Sequence, residues 1–78
     1  MNAKTINLYD SKRGKSFKIV SVANIALLES LGVRLGAQIN VLNRYAFGGP
    51  VLLRVDDSYS IAIGKEIATQ ILVKEVDA

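Results

Sequence analysis

The residues able to do chemistry in this chain are few. Its 78 positions include neither histidine nor cysteine. That removes the softer metal ligands, the commonest general base, and every Ser-His or Cys-His nucleophile. Seven carboxylates, ten Lys and Arg, and some hydroxyls remain. Asp56-Asp57 is the adjacent acidic pair. Neighbours on an extended chain point to opposite faces, and a hard cation wants about six or more oxygens. The pair therefore reads as a polar hairpin turn. Gly48-Gly49 precedes an apolar run rather than a helix, so it fits neither a Walker loop nor a dinucleotide fingerprint. No residue set offers a nucleophile beside a base, and the chain reads as a non-enzyme that needs no cofactor.

Five aromatics, Tyr9, Phe17, Tyr45, Phe47 and Tyr59, are interspersed with basic residues, as on barrels that stack single-stranded bases. In a domain this small most of them belong to the core, and a net charge of +3 is modest for a polyanion binder. The charge is unevenly placed: residues 1–18 are basic and residues 56–78 acidic. The asymmetry could orient a partner, although a solvated mixed surface accounts for it more simply.

These residues need elements to hold them. The length implies one domain over residues 1–78. No apolar run reaches the ~20 residues of a membrane-spanning helix. The start of the chain lacks the apolar stretch of a signal peptide, so the cytoplasm is the expected compartment. Lys15–Val22 reads as a strand with Phe17 and Ile19 on one face and Lys18 and Val20 on the other. Asn24 can cap a helix of about two turns whose stripe is Leu27, Leu28 and Leu31, ended by Gly32. Ala37–Tyr45 alternates Ile39, Val41 and Asn43 against Gln38, Asn40, Leu42 and Arg44. After the break at Phe47-Gly48-Gly49-Pro50 come strands at Val51–Val55 and Tyr59–Ile63. A helical turn at Gly64–Ala68 and a closing strand at Ile71–Val76 follow. The expected fold is mainly β: a small SH3-like barrel of about five strands, one short helix, and a helical turn before the last strand.

Leu28-x-x-Leu31-Gly32-Val33-x-x-Gly36-x-x-Ile39-x-Val41 resembles the signature of the ferrous iron transport protein A family (FeoA). Phe47-Gly48-Gly49-Pro50 looks like that family's hairpin, and Ile61 to Val73 like its closing segment. Leu8 and Gly14 fit its opening. The similarity runs from about residue 6 to residue 73. The helix departs from the pattern, since Ala26 to Ser30 is more apolar and acidic than in many members. The resemblance implies a cytoplasmic accessory of the membrane ferrous iron transporter B, a protein with a GTPase domain, working by protein–protein contact and holding no iron itself. The candidate partner-binding residues are Leu27, Leu28, Arg34, Arg44, Tyr45 and Phe47. Two other readings stand beside this one. One is a module linked to a metal-dependent repressor; the other is an RNA- or single-strand-binding barrel.

Overall fold

The computed structural model describes residues 4–22 and 25–76. The elements in chain order are β1 (Thr5–Asn7), a 3₁₀ turn (Leu8–Asp10), β2 (Ser16–Val22), α1 (Ile25–Ser30), β3 (Gln38–Arg44), β4 (Val51–Val55), β5 (Tyr59–Ile63), α2 (Lys65–Ala68) and β6 (Ile71–Glu75). The strands form one antiparallel sheet in the order β1-β6-β2-β3-β4-β5. The fold is the small, mainly β, SH3-like arrangement the sequence implies. The proposed cap Asn24 lies outside the described residues.

Two features differ from the expected barrel. There is a sixth strand, β1, three residues long and paired with β6 through Ile6 and Val73. Three residues are too few for an alternation to show in sequence. The sheet is also not closed: among the described residues no ladder joins β5 to β1. Tyr9 bridges that gap by its side chain. Its hydroxyl donates to the Gly49 carbonyl at 3.3 Å, and Lys65 Nζ lies 5.6 Å from its ring centroid.

The core draws on every strand but β1. Phe17 and Ile19 of β2, Ile39 and Val41 of β3, Val51, Leu53 and Val55 of β4, Ile63 of β5, and Ile71 and Val73 of β6 all point inward. Leu8, Leu28, Val33, Ala37 and Ala68 seal the open sides. With no cysteine for a disulfide, this burial and the hydrogen-bonded ladder hold so small a domain together.

β3 breaks the simple alternation, and the break matters. Its ladder with β4 shifts register between Val41 and Asn43, so Leu42 is an extra residue. Before the bulge, Ile39 pairs with Val55 and Val41 with Leu53; after it, Arg44 pairs with Val51. Directly paired residues share a face, and Val51 is in the core. The one-residue insertion therefore moves Arg44 to the inner side of the sheet's rim and Asn43 to the outer, the reverse of strict alternation.

Candidate interaction surface

The candidate residues separate into two groups at opposite ends of the β4–β5 hairpin. Tyr59 pairs with Val55 at one end, and Ile63 with Val51 at the other. Four strand steps put the two ends about 13 Å apart.

The first end is built by α1. The helix is six residues long and closes on a Schellman motif. Val33 N donates to Leu28 O at 2.9 Å, and Gly32 N to Glu29 O at 3.0 Å. Gly32 sits at φ +84°, a left-handed conformation that suits glycine. The motif's hydrophobic contact is Leu28 with Val33, and both are buried. Leu28 is only 3% exposed, so it belongs to the core and leaves the set of surface contacts. Leu27, one position earlier, points the other way and is 64% exposed. The helical step of about 100° per residue separates the two, so the three leucines do not form one stripe.

Leu31 and Leu35 extend this apolar surface; Leu35 is 66% exposed. Leu35 also lines an open cleft of about 280 Å³ with Val22, Glu29 and Arg34. Arg34 thus stands next to an apolar anchor and an opposite charge. Tyr59 completes this end: its hydroxyl donates to the Leu31 carbonyl and closes over Gly32, leaving no room for a Cβ there. Sequence reasoning missed Leu35 as a contact residue. The available signal was the Val33-x-Leu35 spacing on a short loop, in which one apolar side chain goes in and the other has nowhere to bury.

The second end carries Arg44, Tyr45 and Phe47. Phe47 is fully exposed (106%) at the hairpin tip and holds φ +60°, a conformation few non-glycine residues adopt. Tyr45 is half-exposed and packs its Cβ toward Gly49. Arg44 Nη1 donates to the Tyr9 carbonyl at 2.7 Å and to the Ser11 carbonyl at 3.1 Å, tying the 3₁₀ turn to β3. It is in part a structural strap.

The remaining aromatics are accounted for within the fold. Phe17 is in the core, Tyr9 bridges to Gly49, and Tyr59 is pinned over α1. Phe47 is the most exposed of the five, followed by Tyr45 and Tyr59, a small platform for bases. Asp56 and Asp57 form the expected hairpin turn, both at positive φ, with Ser58 N donating to Val55 O at 2.9 Å. Among the described residues no group of carboxylates is arranged to hold a metal ion, and no helix is long and apolar enough to cross a membrane.

The class of fold is a small SH3-like sheet, with exposed apolar and arginine side chains at two ends. The match to the FeoA domain model over residues 6–75 makes the assignment particular: the chain belongs to the FeoA domain family and is an iron-uptake-related small protein. Solved structures agree. An iron uptake regulatory protein (FeoA) is 28% identical, superposes with a TM-score of 0.83, and is matched over 94% of this chain and 99% of its own. The FeoA protein of Chlorobium tepidum is 25% identical, with a TM-score of 0.81 over 92% of this chain and 71% of its own. ScaR with bound Zn²⁺ is 26% identical, with a TM-score of 0.82 over 95% of this chain, but this chain spans only 38% of ScaR. A search of curated protein sequences gives no match.

Proposed function

We propose that this protein is a cytoplasmic, non-catalytic accessory of bacterial ferrous iron uptake that binds the membrane ferrous iron transporter B through the α1 end of the fold. One observation carries the reading. Leu27 and Leu35 are each about two-thirds exposed at the α1 end, and Leu35 lines a cleft together with Glu29 and Arg34. Apolar anchors rimmed by opposite charges are the usual make-up of a protein-binding surface. Family membership supplies the iron-uptake context. Phe47 and Tyr45 offer a further contact at the hairpin end, within the span of an ordinary interface.

The test is a binding measurement between the purified chain and the full-length cognate transporter in nanodiscs. Leu27→Asp combined with Leu35→Asp is expected to weaken binding at least tenfold and leave the fold intact, because neither side chain is in the core. Unchanged affinity of the double variant would refute the α1 surface. Absence of any binding by the parent chain would refute the transporter as partner.

A second reading is favoured by the occurrence of the same fold in manganese-dependent transcriptional repressors, where it covers 44% and 37% of the chain. There the same surface would dock onto another part of a metal-dependent repressor. Binding to such a repressor in place of the transporter would select it.

A further inference from the structure

The hairpin end carries a feature the leucine surface does not use. Arg13, Asn43 and Arg44 line an open cleft of about 270 Å³. Its polar side chains present donors. A guanidinium has five N–H donors in a rigid plane. Both N–H groups of Arg44 Nη1 are taken by the Tyr9 and Ser11 carbonyls. That fixes the plane and leaves the Nε and Nη2 edge, whose parallel N–H groups match the two oxygens of a carboxylate. Asn43 has its Oδ1 occupied at 2.8 Å by the Arg44 backbone N–H, which leaves its NH₂ group as the available donor. Arg13 brings a second guanidinium, and Lys12 precedes it in the chain. Among the described residues no carboxylate lies within 4 Å of either arginine; the ion pair of this region is Lys15–Glu75. The site exists because of the bulge at Leu42, which carries Arg44 to the inner rim beside the 3₁₀ turn.

We propose that this cleft is a socket for a carboxylate side chain on an acidic segment of a partner protein. Arg44 would read the carboxylate bidentately, with Arg13 as the second charge and the Asn43 amide as a neutral donor. With Nη1 committed, Arg44 offers two parallel donors, a fork that takes a carboxylate or a phosphate alike; the net charge of +3, modest for a polyanion binder, favours the carboxylate. The cleft is open, and a lone hydrated anion gains little at an exposed cation. The anion must therefore arrive on a larger partner. The inference rests on the chain being a binding module and not on the identity of the transporter.

The test is an NMR titration of the ¹⁵N-labelled chain with N-acetylated tetraglutamate amide, alongside inorganic phosphate and oligouridylate. The arginine Nε–H signals of Arg13 and Arg44 and the Asn43 NH₂ signals are expected to move saturably with the peptide, at a dissociation constant of about 1–10 mM. Phosphate and oligouridylate are expected to bind there more weakly. Arg44→Lys, which keeps the charge and removes the fork, should weaken the peptide at least fivefold. Arg13→Gln, at an exposed residue with no role in the fold, should weaken it about threefold and keeps the test valid should the Arg44 variant lose its strap. No saturable movement at Arg44, equal or tighter binding of phosphate or RNA, or parent-like affinity in both variants would overturn the proposal. Transporter binding without a peptide response would defeat only this inference; a peptide response without transporter binding would defeat only the transporter reading.

Discussion

Gly32 joins two structural demands in one residue. Its positive φ closes α1, and the Tyr59 hydroxyl occupies the space where a side chain would begin. A left-handed non-glycine residue costs roughly 1–2 kcal/mol before any clash is counted. Gly32→Ala should therefore lower unfolding free energy by at least about 2 kcal/mol in urea titration, with Tyr59 displaced. Phe47 is the contrary case. It holds a similar backbone conformation with no burial to offset the strain. Phe47→Asn should leave stability equal or raise it by up to about 1 kcal/mol, because asparagine tolerates that conformation. A large loss of stability on denaturation would show that Phe47 packs inward.

At the scale of elements, α1 shows how adjacent leucines divide their work. Leu28→Ala removes a core side chain and should cost about 2–4 kcal/mol, whereas Leu27→Ala should stay within about 0.5 kcal/mol. Thermal melts of the two variants check this contrast directly. β2 and β6 carry an unfavourable pair: Lys18 and Lys74 face each other across the ladder, both exposed. Lys74→Glu should raise stability by about 0.2–1 kcal/mol, an effect that shrinks at high salt. The strand stretches ahead of an irregularity were legible in sequence because period-two burial leaves a mark; Phe17 and Ile19, before the register shift at Val20, face inward as their spacing implies. The bulge at Leu42 left no mark. Leu42 is an apolar residue in an apolar-rich strand, and only the pairing with β4 shows that it is the extra one, so the face of Arg44 was misread. The helix stripe failed for a related reason: six residues are too few for periodicity to tell Leu27 from Leu28.

On the scale of the whole molecule, the charge asymmetry of the chain does not become an asymmetry of the fold. β6, from the acidic end, lies between β1 and β2, from the basic start. Lys15 and Glu75 meet at 3.2 Å, so the two segments are interleaved on one sheet. What remains directional is chemistry: leucines and a charged cleft at the α1 end, and arginines with an exposed aromatic at the hairpin end. The family was readable from the spacing of glycines and leucines, because that spacing encodes the helix stop and the turns. The surface was readable only in part. Leu27 stayed outside, Leu28 went into the core, and Leu35 emerged from a loop.

The central claim is that the α1 leucines form the transporter-binding surface. The most direct measurement is methyl NMR of the leucine-labelled chain added to the full-length ferrous iron transporter B in nanodiscs. The account predicts signal loss first at Leu27, Leu31 and Leu35, with Leu8 and Leu53 in the core affected least. Loss confined to other methyls, or none at all, would contradict it.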